Sequence, residues 1–305
     1  MKILVTGASG FIGTPLVNAL TAQGHQVIAL TRSPTKIEAI FGKGVRPCSF
    51  GPKGGLLNPD DVSDVEAVIN LMGENISGGR WSEDRKKRIE SSRVNGTRRL
   101  IDSLKNLPTG QLKCFVNASA IGIYPTNTGN ELDESSKLGE GFLADVCKNW
   151  EIEAQRVKQL HPAARLTILR FGVVLGKGGG ALEKMLTPFK LGVGGKIGDG
   201  TQMMSWIHID DLVELLCETI NNDSFVGIFN ATAPNPVSNS IFTKALGAAL
   251  HRPTLFPVPP FALKAMFGEM SSIILDSQNV KPKHLENVGF KFKYRKIDEA
   301  LASIV

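Results

Sequence analysis

Short apolar runs alternate with amphipathic stretches through the first half of the chain, the pattern of strand–helix units that build a parallel sheet. The spacing predicts strands at 2–6, 26–31, 67–71, 113–119 and 166–171. Helices are expected at 11–23, 83–105 and 142–160, the second opening after Ser82 with Glu83 and Asp84 in its positive first turn. From 176 to 200 the pattern breaks. Nine glycines lie there among Lys177, Lys184, Lys190 and Lys196, so the backbone is permissive and cationic: a mobile active-site lid, or a plain surface loop. Further on, Asp210 is placed to cap a helix running to Ile220, and 253–260 is a proline-rich connector. The tail from Phe261 holds two helix-like pieces and an alternating strand over 290–294.

Between the first strand and the first helix lies Gly7-Ala8-Ser9-Gly10-Phe11-Ile12-Gly13. Gly7 permits the tight turn, Gly10 lets the backbone approach a pyrophosphate, and Gly13 allows helix and strand to pack closely. The unpaired amides of the helix start then face an anion, backed by a partial charge of about half a unit. An isolated glycine triplet is a weak signal, but a triplet that leaves a strand and opens a helix is a strong one. The setting predicts an α/β protein with a Rossmann-like doubly wound parallel sheet and a smaller C-terminal α/β substrate lobe. In that layout 1–175 bind the dinucleotide, 201–235 return to the same domain, 176–200 form the lid and 236–305 form the lobe.

The end of the second strand selects the cofactor. A carboxylate there would accept from the adenosine ribose of NAD, but the strand ends in Thr31-Arg32, whose guanidinium fork suits a 2′-phosphate. NADP(H) is therefore expected; the plain alternative for Arg32 is a solvated charge. At a later strand end, Asn70-Leu71-Met72-Gly73-Glu74 places small and apolar residues along the dinucleotide groove, and Glu74-Asn75 are candidates to face a substrate.

Composition narrows the classes that remain. The chain has 305 residues, 42% hydrophobic and 21% charged, which excludes general disorder. The apolar run 166–175 is interrupted by Arg170 and too short to cross a bilayer, so no membrane span is expected. Met1-Lys2 run straight into the first strand, which leaves no room for a signal peptide and makes a cytoplasmic location the default. Cys48, Cys114, Cys147 and Cys217 are scattered without metal spacing, so no metal is expected. The charge of +6 suits an anionic ligand, yet the basic residues are dispersed and no nucleic-acid motif accompanies them. The expected partner is a small-molecule substrate; a homodimer is compatible with the sequence.

These residues carry a resemblance. The glycine motif, Val94-Asn95-Gly96-Thr97, Ser119 with Ile123-Tyr124-Pro125, and Trp206-Ile207-His208-Ile209-Asp210-Asp211 match in order the landmarks of the extended short-chain dehydrogenase/reductases, the superfamily of sugar-nucleotide epimerases. Asn70 to Asn75, 142–151, Gly178-Gly179-Gly180 and Ser277-Gln278-Asn279-Val280 with Pro282 are similar to an atypical "epimerase family" branch carrying a C-terminal domain of unknown function. That resemblance spans the chain and implies NADP(H) contacts at Thr31, Arg32, Leu71, Met72, Arg93 and the Val174 backbone. The superfamily transfers protons with a Tyr-x-x-x-Lys pair. Here Leu143 and Cys147 fall at those two places, and Ala120 aligns nearer than Ser119 to the serine partner. Replacement acids are Tyr124, Glu74, Cys147, Ser119 and His208, each with a structural alternative. Arg170 is expected to need a buried partner, Glu151 or Asp210, or else to face a substrate anion. Two functions follow: an NADP(H)-dependent oxidoreductase or epimerase-like enzyme, or, because the proton-transfer residues are missing, a non-catalytic NADP(H)-sensing regulator, a role that suits the resemblance to relatives associated with cell or plastid division.

Overall fold

Seven parallel strands form the centre of the molecule in this computed structural model, which describes the backbone of all 305 residues and every side chain except that of Lys53. They are β1 Lys2–Thr6, β2 Gln26–Leu30, β3 Val45–Cys48, β4 Ala67–Asn70, β5 Cys114–Ala120, β6 Arg165–Phe171 and β7 Gly227–Ala231. Their spatial order is β3-β2-β1-β4-β5-β6-β7, so the chain reverses direction across the sheet between β1 and β4. A doubly wound sheet opens its ligand crevice at that reversal, beyond the strands' carboxyl ends.

Successive side chains alternate between the two faces, and both faces are covered. Ile3 and Val5 join one apolar cluster with Leu16, Val17 and Leu20 of the Gly13–Ala22 helix and Leu212, Leu215 and Leu216 of the Ile209–Asn221 helix. Leu4, Val68 and Phe115 enter the opposite cluster with Leu100 and Ile101 of the Glu83–Ser103 helix. Each such fully buried side chain contributes about 1.5–3 kcal/mol. Ser82 starts the Glu83–Ser103 helix, accepting from the Arg85 amide at 3.3 Å. The expected helix over 142–160 is two pieces, Phe142–Gln155 and Val157–Leu160.

Four expectations need correction. β3 and β7 complete the sheet although neither was expected: Arg46-Pro47 and Gly227 with Asn230 interrupt their apolar runs. Pro47 is tolerated because β3 is an edge strand. The 176–200 segment contains an eleven-residue helix, Gly180–Lys190, with Leu182 and Phe189 buried in the C-terminal core. Asp210 does not cap the next helix; the His208 Nδ1 accepts from the Asp210 amide at 3.0 Å. Residues 290–294 form no strand. Phe290 and Phe292 plug the first cluster edge to face, and the Asp211 carboxylate accepts from the Lys293 and Tyr294 amides at 2.6 and 3.0 Å, as a partner strand would.

The C-terminal part supplies the other wall of the crevice. Trp206–His208 pairs with Val173–Leu175, and Met203–Met204 pairs with Val237–Ser238. The Asn239–Ala249 and Ile297–Ile304 helices share a core with Trp206, while the Pro260–Phe267 and Ser272–Leu275 helices bury no residue. No helix is long and apolar enough to cross a membrane.

Candidate functional site

Beyond the carboxyl ends of β1 and β4 opens a cleft of about 2470 Å³ lined by the glycine turn. Gly7 sits at φ 67°, and its amide-facing space is taken up: a Cβ there would lie 2.9 Å from the Leu71 carbonyl oxygen. A Cβ on Gly13 would collide with the Gly7 carbonyl, so helix and strand meet where only glycine fits. The Gly10 amide donates to the Gly7 carbonyl at 2.9 Å and Thr14 to Gly10 at 3.0 Å, which orients the helix start toward the cleft. No side chain caps that start, and no acid lies in its first turn. Ser9, Phe11 and Ile12 line the cleft beside the three glycines.

At one end, Thr31, Arg32, Ser33 and Lys36 line the cleft opposite Phe50 and Arg99. The Arg99 guanidinium stacks over the Phe50 ring at 4.5 Å. Ser33 donates its amide to the Thr31 hydroxyl at 3.0 Å, and Ser49 donates to the Thr31 carbonyl at 2.7 Å, so the turn carrying Arg32 is held in shape. Arg32, Lys36 and Arg99 place three cations there, with no carboxylate among the described residues lining that end.

In the middle, the β4 end is fixed by a buried relay. Thr6 donates to the Asn70 carbonyl oxygen at 2.8 Å; the Asn70 amide donates to Thr97 and Asn117 at 2.8 and 2.7 Å; and the Trp150 indole donates to Thr97 at 2.9 Å. These bonds set Leu71, Met72 and Gly73 along the cleft. The Met72 sulfur rests against Gly96, where a Cβ would lie 2.5 Å away. Arg93 lies against Gly73 and 5.2 Å above the Trp150 ring, donating to the Glu74 and Ile89 carbonyls at 3.1 Å each. Burial pushes its guanidinium below the ordinary value, with Cys147 and Glu74 opposing. Val174 lines the same stretch, and the Phe11 ring packs on Gly179 and Gly180 at the start of the Gly180–Lys190 helix.

Beneath the other wall runs a buried polar chain. Ser119 donates to Glu151 at 2.6 Å, Arg170 grips Glu151 with two bonds of 2.8 Å, and Arg170 donates to the Tyr124 hydroxyl at 2.7 Å. Tyr124 in turn donates to Asn230 at 2.7 Å. Arg170 thus takes Glu151, not Asp210, as its partner. Burial would lower its guanidinium, but the Glu151 bonds and charge outweigh that and hold it above its ordinary value. Burial also raises the Tyr124 phenol, with Arg170 opposing. A charge-assisted pair of this kind holds its members in one geometry.

The chain has known relatives along its whole length. The NAD dependent epimerase/dehydratase family matches residues 3–231, and a domain of unknown function, DUF1731, matches 258–304. The chain belongs to the NAD dependent epimerase/dehydratase family. It is 41% identical to an Arabidopsis thaliana protein named "Epimerase family protein SDR39U1 homolog, chloroplastic", covering 100% of this chain and 87% of that one. It is 38% identical to the Bacillus subtilis epimerase family protein YfhF, covering 100% and 98%. The crystal structure of the human epimerase family protein SDR39U1 with NADPH is 33% identical, with a TM-score of 0.86 over 100% of this chain and 99% of that one. A Bacillus cereus UDP-glucuronic acid 4-epimerase, 17% identical with a TM-score of 0.78, shares the fold.

Within this family frame, the two places expected for a tyrosine and a lysine hold side chains that do not exchange protons near neutral pH. Leu143 packs by Gly122, and burial pushes the Cys147 thiol up to about 11, with Arg93 opposing. Tyr124 is 1% exposed with both hydroxyl bonds made, Ser119 is committed to Glu151, and His208 caps a helix away from the cleft. Of the replacement acids, Glu74 alone is half-buried at the cleft edge without a partner for its carboxylate among the described residues. Lys36, Phe50 and Arg99 were not anticipated as cleft residues. Lys36, four positions past Arg32 at a helix start, carried the readable signal.

Proposed function

We propose that the chain binds NADP(H) across the crevice between β1 and β4 and exchanges hydride with a small molecule held against the C-terminal lobe. The observation that carries this is the cation cluster of Arg32, Lys36 and Arg99 at the far end of a glycine cradle, with no carboxylate beside it. A 2′-phosphate fits that end, and a diphosphate fits the uncapped helix start that Gly7 and Gly13 open. The human relative solved with NADPH supports the same choice. The nicotinamide, when bound, supplies hydride. The chain's own part is to hold the two phosphate ends, to pack Phe11, Leu71, Met72 and Cys147 around the remainder and to exclude water.

The test is Arg32→Glu. A charge-assisted bond contributes about 1.5–3 kcal/mol, so NADPH affinity falls roughly ten- to a hundredfold while NADH affinity changes little. Equal losses for both would overturn the phosphate role. A second reading, an NADP(H)-sensing regulator, is favoured by one observation: Leu143 and Cys147 stand where proton transfer is expected. It predicts tight NADPH binding with no consumption across quinones, aldehydes and nucleotide sugars; a fall in NADPH absorbance with any of them would contradict it.

A further inference from the structure

Away from the glycine turn the cleft changes character. Trp81, Phe142, Pro260, Ile273 and Leu275 line it, with Trp81 and Phe142 edge to face at 5.2 Å. The Trp81 indole N–H already donates to the Ile76 carbonyl at 2.8 Å, so the ring offers an apolar surface. The Pro260–Phe267 and Ser272–Leu275 helices bury none of their residues, which leaves Pro260, Ile273 and Leu275 open to the cleft beside the uncharged Ser271, Ser272, Ser277 and Gln278.

Charge in this half is unfavourable to anions. Lys86, Arg93 and Lys264 stand among Glu74, Glu140, Asp199, Glu269 and Asp276. Lys86 is held 2.5 Å from Glu269, so that pair cancels and four carboxylates remain against Arg93 and Lys264. A nucleoside diphosphate needs desolvated cations in fork geometry, and carboxylates in the majority repel it.

Proton supply points the same way. Reducing a sugar ketone creates an alkoxide about as basic as hydroxide (parent acid near ~15.7), which requires a positioned acid. Leu143 has no exchangeable proton, Cys147 is raised to about 11, the Tyr124 hydroxyl is bonded on both sides, and Glu74, the one candidate left at the cleft edge, accepts but does not donate while it is ionised. Hydride transfer to a quinone leaves a phenolate-like oxygen, parent pKa about 10, which is weakly basic enough to form without a positioned acid and then takes a proton from the buffered solvent.

We propose that this half of the cleft takes an uncharged, planar quinone-class acceptor and not a nucleotide sugar, an inference that rests on the NADP(H) reading above. The quinone gains one hydride from the reduced dinucleotide and one H⁺ from the buffered solvent. Hydroquinone and the oxidised dinucleotide are the products. Trp81 and Phe142 supply the stacking edge, and Ile273 and Leu275 the opposite wall.

Calorimetry first establishes NADP⁺ binding, and the NADP⁺-saturated protein is then titrated with menadione and, separately, with UDP-glucose. Menadione is expected to bind and quench tryptophan fluorescence, Trp81→Phe to remove most of that quenching, and UDP-glucose to give no heat. Ile273→Asp, which puts a charge on the apolar wall, weakens menadione by at least about tenfold and leaves NADP⁺ affinity unchanged. UDP-glucose binding, or menadione binding indifferent to both variants, overturns the inference. If NADP⁺ binds and menadione does not, this inference alone falls; if NADP⁺ itself gives no heat, the cofactor reading falls with it.

Discussion

At the scale of single residues, the site is built from side chains with one job each. Glu151 and Arg170 are buried at 5% and 3% exposure, so each needs the other. Glu151→Ala strands the guanidinium and is expected to cost roughly 3–5 kcal/mol in urea unfolding, with a smaller cost for the double variant Glu151→Ala, Arg170→Met. A single variant as stable as wild type contradicts the role of this pair as the brace behind β5 and β6. Much at this scale was legible beforehand. The glycine triplet, Thr31-Arg32 and the need of Arg170 for a partner are properties of residue type and spacing. The Asn70 relay and the stacking of Arg99 on Phe50 were not legible, because they join residues far apart in sequence whose approach is set by the sheet.

Elements were legible where their pattern was strong and local. β1, β2, β4, β5 and β6 appear close to their expected bounds because continuous apolar runs fit strands covered on both faces. β3 and β7 were hidden because edge positions relax that demand, and 290–294 misled because its alternation serves as two apolar plugs. Caps carry their own prediction. His208 caps the Ile209–Asn221 helix through an unprotonated Nδ1, near Asp210 and Lys293. Burial holds its imidazole below the ordinary 6.5, with Asp210 opposing. A lowered histidine contributes stability that is present above pH 6.5 and lost as pH falls through the folded value. His208→Asn retains a cap without titrating, so its urea midpoint is expected to fall less than that of wild type as pH drops below 6.5. Identical acid profiles would remove the cap from the account.

For the molecule as a whole, one sheet reversal opens the cleft, and the C-terminal part lines its other side. Glu269 and the open Pro260–Phe267 helix lie in the stretch matched by the domain of unknown function, and Lys86 of the Glu83–Ser103 helix pairs with Glu269. The dinucleotide half rests on backbone geometry and a cation cluster, and so is the claim on which the rest depends. Isothermal titration of the purified protein with NADPH and with NADH tests it most directly. NADPH is expected to bind at least about tenfold tighter than NADH, a difference of ~1.4 kcal/mol or more; no heat with either, or equal affinities, would rule out the cation cluster as a 2′-phosphate site.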